Sequence, residues 1–168
     1  FRSRDANEDP SVRETEQQQS TNEGSVLDQM ESLFTAQIPS AEIAVNRTRG
    51  EMYVRVTYDE LEQGVMAISS GNAAGEKPFL PSLVALIRND REGVSYRMDM
   101  VYNINENPSV LYNEDPQRLL LVNKRISMIA QRLEQAGLPK KLVSAGLREG
   151  KEDMVDLHFR RHIPYNPA

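Results

Sequence analysis

The chain contains no cysteine and no tryptophan, two histidines, and only four phenylalanines and six tyrosines in 168 residues. The lack of cysteine excludes disulfides, thiol nucleophiles and every cysteine-ligated zinc or iron–sulfur site. It does not by itself fix the compartment. With aromatics at 6%, a core must be built mainly from aliphatic side chains and methionine. No run approaches the ~18 apolar residues of a membrane-spanning helix. Positive charge is also short: 20 Lys and Arg against 25 Asp and Glu give a net charge of -5. General nucleic-acid binding is disfavoured on that ground, because phosphates call for a basic face.

What is present falls into three parts. Residues 1–24 are polar, rich in Asp, Glu, Gln, Ser and Asn, and are expected to be a disordered linker, since too little apolar surface is available to offset ordering entropy. Residues 25–39 are expected to form an amphipathic helix, with Ser25 as N-cap and Asp28 completing a capping box. Val26, Leu27, Met30, Leu33, Phe34 and Ile38 form its apolar stripe, and Pro39 ends it. Two roles suit such a helix: docking on the domain as part of its core, or serving as a regulatory or partner-binding element. Residues 40–168 are expected to be one folded domain.

Within that domain, Ile43–Val45 and Met52–Tyr58 predict two strands around the Asn46–Gly50 turn. A helix is expected over Phe79–Arg88 after a flexible loop at 71–78. Val94–Val101 predicts a strand by its early alternation. Leu119, Leu120, Val122, Ile126, Ile129, Ala130 and Leu133 recur at helical spacing, and the helix is expected to stop at Gly137, before Leu138-Pro139. Asn103–Pro116 is expected to be a long polar loop, and Val155–Phe159 the final strand. Strand, crossover helix and strand make an α/β or α+β unit.

These residues resemble the OmpA/MotB-like peptidoglycan-associating domain. In that family a strand ends in a Gly-His-Thr-Asp turn. A helix with an Arg-Ala pair follows, then Gly-Val-Pro, then a strand near a second arginine. Here Tyr96 to Asn103 falls on the strand and turn, Lys124 to Leu133 on the helix, and Gly137-Leu138-Pro139 on the proline turn. Leu142 to Gly146 looks like the short segment before the family's glycine. The likeness spans residues 50–160 and lies more in pattern and spacing than in identities. It implies an OmpA-like mixed sheet with helices packed on one face, preceded by the amphipathic helix.

The resemblance further implies a non-catalytic periplasmic domain anchoring a membrane-tethered complex, such as a motor stator, to the cell wall. Its anchor would lie outside this chain, its partners would be peptidoglycan and envelope or motor proteins, and it would pair as a homodimer. Arg125 matches the family's helix arginine, whereas Asn103 stands where an aspartate belongs and Met100-Val101-Tyr102 replace Gly-His-Thr. The second arginine has no counterpart, since Asp153-Met154 precede Val155. Asn103, Arg125, Tyr102 and Asn105 are therefore the candidate stem-peptide contacts, with Arg97 and Arg148 as cations able to replace missing charge. A neutral amide cannot give the charge-assisted bond of a carboxylate. The alternative is accordingly a degenerate OmpA-like scaffold that no longer binds peptidoglycan and mediates protein–protein assembly in a secretion or other envelope machine.

No catalytic, cofactor or metal constellation stands out. His158 and His162 are four residues apart, but the alternation of Val155–Phe159 predicts a strand, in which that spacing is about 13 Å. No serine sits in a Gly-x-Ser-x-Gly setting, and Gly71-x-x-x-Gly75 lacks the Lys-Ser/Thr of a phosphate-binding loop.

Overall fold

The computed structural model describes residues 26–66 and 78–163. The linker expected over 1–24, the Ser25 cap, and the loop expected at 71–78 apart from Pro78 lie outside them. The described residues form a five-stranded mixed sheet with helices on one face, the expected α+β architecture.

Strands β1 (Glu42–Asn46) and β2 (Glu51–Thr57) form an antiparallel hairpin. The Asn46 side chain accepts the Arg49 N–H at 3.1 Å, and Gly50 supplies the left-handed residue at φ 66°. Strand β3 (Tyr96–Ile104) pairs in parallel with β4 (Val143–Glu149). Parallel neighbours need a crossover, and α5 (Pro116–Gln135) supplies it. Strand β5 (Met154–Arg161) lies in the middle, antiparallel to β2 on one side and β3 on the other. The spatial order is β1-β2-β5-β3-β4.

Period-2 alternation sends Met52, Val54 and Val56, then Tyr96, Met98, Met100 and Tyr102, then Val155, Leu157 and Phe159, to one face, where all are buried. Helix α1, over residues 26–37, docks there through Val26, Leu27, Met30 and Phe34, with Ile38 beside them. Phe34 meets Phe79 and Phe159 edge-on at centroid distances of 5.3 and 5.8 Å. Helix α3 (Phe79–Arg88) adds Leu80, Leu83, Val84 and Ile87, and α5 adds Val122, Ile126, Ile129 and Leu133. Helix α5 ends as the glycine predicts. Gly137 adopts φ 109°, its N–H bonds Glu134 and the next N–H bonds Leu133, a Schellman closure with Leu133 and Leu138 both buried.

Four expectations are corrected. The strand expected over Met52–Tyr58 ends at Thr57, and Tyr58–Met66 form a helix, α2, started by a capping box in which the Thr57 hydroxyl accepts the Glu60 N–H and donates to its carboxylate. The expected loop at 103–116 contains the end of β3 and a helix, α4 (Pro108–Glu114). Its Asn-Pro and Asp-Pro pairs are helix starts: Asn107 and Asp115 accept the N–H groups of Ser109 and Arg118, with proline first in each helix. Residues 143–149 are a full edge strand rather than a short segment. Leu120, placed on the buried stripe of α5, is 67% exposed, because the stripe runs through Val122 instead.

The opposite face of the sheet is polar and knitted by ion pairs. Arg55 grips Asp156 through two bonds of 2.7 and 3.0 Å, and Arg148 reaches the same carboxylate. Asp99 accepts from Ser144 at 2.6 Å, from Arg97 at 2.9 Å and from Arg160 at 3.3 Å. His158 bonds Glu51 and stacks on Tyr53, with ring centroids 4.4 Å apart. His158 thus lies on β5 and His162 just past its end, and among the described residues no three potential metal ligands converge. No helix of the described residues is long and apolar enough to cross a membrane.

Candidate functional site

Four side chains were singled out by pattern, and the sheet separates them. Asn103 belongs to β3 and is a buried polar residue, at 1% exposure. A turn former by propensity, it is extended here because β5 pairs alongside and supplies partners for its side chain. Its amide donates to the Met154 carbonyl at 2.9 Å and to Asp156 at 2.8 Å, while its carbonyl oxygen accepts from Arg148 at 3.3 Å. Those partners lie on the polar face, so Asn103 is spent on sheet closure. Arg97, bound to Asp99, and Arg148, bound to Asp156, are on the same face.

This network also shapes the turn opposite. A Cβ added at Gly150 would lie 2.3 Å from the Asn103 side-chain oxygen and 3.0 Å from its Cγ. Asn103 cannot retreat without breaking buried hydrogen bonds. Gly150→Ala is therefore expected to cost about 2 kcal/mol, the range of overpacking in a fixed environment. A denaturant midpoint equal to the wild type's would show that Asn103 moves freely.

Partial burial pushes the Asp156 carboxyl up, but the Arg55 fork, the Asn103 amide and Arg148 outweigh it and hold it below the ordinary carboxylate range.

Tyr102 and Arg125 do come together, on the helix-covered side. Tyr102 is buried, with its hydroxyl at the rim of the core. Arg125 is exposed on the third turn of α5 and donates to that hydroxyl at 3.4 Å, with its guanidinium 5.7 Å from the Tyr58 ring centre. The Tyr58 and Tyr102 rings are 5.3 Å apart. Tyr58 also bonds the Arg125 carbonyl and the Glu62 carboxylate, each at 3.2 Å. Burial, with Glu62 beside it, pushes the Tyr58 phenol up to about 12. Burial and Asp153 also raise that of Tyr102, and the Tyr102 hydroxyl raises Arg125 further. Both phenols stay protonated at neutral pH. Asn105 is exposed beyond β3 and accepts from Arg118 at 3.2 Å, apart from this cluster.

Asp153 is the residue that pattern alone does not single out. Its carboxylate accepts the Tyr102 hydroxyl at 2.7 Å, its N–H bonds the Asn103 carbonyl at 3.1 Å, and its carbonyl accepts the Tyr58 N–H at 2.8 Å. The one available signal is its position, directly before the last strand.

No family model matches the sequence, and no curated protein matches it either. Among solved structures, the crystal structure of a MotB-like protein from Desulfovibrio vulgaris superposes with a TM-score of 0.50 at 15% identity, covering 85% of this chain and 96% of that one. The OmpA-like domain of FopA1 from Francisella tularensis also aligns, at TM-score 0.34 and 15% identity over 73% of this chain and 83% of its own. The first of these likenesses establishes the fold: the chain folds as an OmpA/MotB-like domain.

Proposed function

We propose that this is a non-catalytic periplasmic domain that anchors a membrane-tethered envelope complex to the cell wall, by holding a free carboxylate of the peptidoglycan stem peptide against Arg125. The observation that carries this reading is the state of Arg125. It is exposed, matches the helix position of the family's ligand arginine, and forms no ion pair among the described residues, only the long bond to Tyr102 and the cation–π contact with Tyr58. Arg55, Arg97, Arg118, Arg148 and Arg160 all hold carboxylates. A guanidinium has five donors in a planar fork suited to a carboxylate, and here Nη1 alone has a hydrogen-bond partner among the described residues. The tether, the motor or other envelope partners and pairing as a homodimer belong to the same reading, through segments and surfaces outside this site.

Co-sedimentation with purified sacculi tests it. The wild type is expected in the pellet and Arg125→Ala in the supernatant, a loss of about tenfold or more for a charge-assisted contact. Equal pelleting of both proteins sinks the reading.

The scaffold alternative has its own support. Asn103, at the family's aspartate position, is consumed by the sheet, and the α4–α5 pair exposes Val110, Tyr112, Leu120 and Leu121. Clustered exposed apolar side chains mark protein contacts more often than isolated ones do. On that reading neither protein pellets with sacculi.

A further inference from the structure

Strand β1 ends the sheet on one side, and among the described residues no strand pairs with its outer edge. The row of N–H and C=O groups along such an edge is a template for a further strand, and edges that must stay unpaired are blunted by lysine, proline or a bulge. Glu42-Ile43-Ala44-Val45-Asn46 has none of these. It pairs residue for residue with β2, and its one charge stands at its first position.

The core is also unfinished at this edge. Ile43 and Val45 lie opposite the buried Val54 and Met52, so they share the helix-covered face, yet both are only half-buried. Ala44, opposite Tyr53, is exposed on the polar face. A strand that set apolar side chains beside Ile43 and Val45 would complete the row.

The sequence of β1 is itself such a strand. Antiparallel pairing of two copies about a two-fold axis at Ala44 sets Ile43 opposite Val45 of the partner subunit, and Val45 opposite the partner's Ile43. Ala44 then meets its own equivalent. Glu42 faces Asn46 of the partner subunit, so no like charges are opposed. An axis perpendicular to the sheet keeps both helix-covered faces on one side, and the apolar pairs fall there. The other edge lacks this self-match. The same operation on β4, centred on Gly146, would set the buried Val143 against Glu149 of the partner subunit.

We propose that β1 is a homodimer interface, through which two copies join edge to edge, antiparallel, into one continuous sheet. This rests on the pairing included in the proposed function and gives it a surface, remote from Arg125. A five-residue strand from each copy buries little area, so the dimer is expected to be weak in dilute solution.

Two measurements on the whole chain test it. The protein has no cysteine, so one introduced thiol reports proximity cleanly. Directly opposed Cα atoms of an antiparallel pair are about 4.5–5.5 Å apart, within disulfide range. Ala44→Cys is expected to cross-link on mild oxidation about tenfold faster than Ala145→Cys, likewise exposed but on β4. In sedimentation velocity the wild type is expected to pass from monomer to dimer as concentration rises towards about 1 mM. Ala44→Lys would oppose two ammonium groups across the axis and is expected to raise the dissociation constant about fivefold or more. Its melting temperature should match the wild type's, because the Ala44 side chain is exposed. A wild type that stays monomeric throughout overturns the interface and the pairing together. A dimer that Ala44→Lys leaves intact, with no faster cross-linking at position 44, overturns the assignment to β1 and leaves pairing to another surface. The sacculi experiment does not depend on β1, so wall binding through Arg125 stands or falls separately.

Discussion

Asn103→Asp, which restores the acidic residue expected at this position, should lower stability by about 3 kcal/mol, within the range for a buried charge left without its partner. The amide now gives one hydrogen to the Met154 carbonyl and one to the Asp156 carboxylate. A carboxylate can give neither, and its nearest neighbour would be a second carboxylate. Arg148, 3.3 Å away and largely exposed, offsets only part of the deficit. The shift corresponds to roughly 10 °C in melting temperature for a domain of this size. Its pH dependence has a definite sign. Burial beside Asp156 raises the folded-state pKa of the new acid, so the penalty is full at neutral pH and shrinks as pH falls through that raised value, where the protonated acid donates once. The difference between variant and wild type should therefore narrow on acidification. Thermal melts at pH 7 and pH 5 measure it. A variant as stable as the wild type at pH 7 would mean that the side chain is not the donor described here.

Phe34→Ala is the second large effect, with an expected loss of about 4 kcal/mol. The ring is fully buried between Phe79 of α3 and Phe159 of β5, so removing it takes away both edge-on contacts and leaves a cavity that rigid neighbours cannot fill. Against a total stability of roughly 5–15 kcal/mol, this is a large share. Ser32, exposed on the outer side of the same helix, should be replaceable by alanine within about 0.5 kcal/mol. Chemical denaturation of both variants decides whether α1 is part of the cooperative unit. A small effect for Phe34→Ala would make the helix a detachable element, as the regulatory role requires. Its flank is further tied by Arg47 to Asp28, and the turn after it by Ser40 to Glu60.

The parts of the fold legible in the sequence are those specified locally. Helix α5 carries its stop within its own last turn, at Gly137, and β2 and β5 show strict alternation because each has one dry and one wet face. Helix α2 was equally specified, by Thr57 and Glu60, but Gly64 and a length of 9 residues with three buried positions make its periodicity faint. Strand β4 is obscured by Gly146 and by its place at the sheet edge, where three of its seven residues are exposed. Asn103 shows the limit most sharply. Its turn propensity is a local property, whereas its burial depends on Asp156, 53 residues further on. Asp153 is hidden for the same reason: nothing near it in the chain announces the Tyr102 hydroxyl, 51 residues earlier. The pairing of Tyr102 with Arg125 follows from the strand–helix arrangement, and pattern captures that much.

The placement of β5 has a consequence for how the molecule is made. Arg55 and Asp156 meet across 101 residues, and every other described strand leaves the ribosome before β5 does. Until then the β1–β2 hairpin and the β3–β4 pair are two half-sheets with no hydrogen bond between them. Non-local closure of this kind is slow, and each half meanwhile offers an unpaired edge for stray strands. Delivered from its N-terminal end, the chain receives its keystone last. A cut just ahead of residue 154 would therefore split the sheet through its middle, an all-or-none loss that no trimming at β1 or β4 could produce.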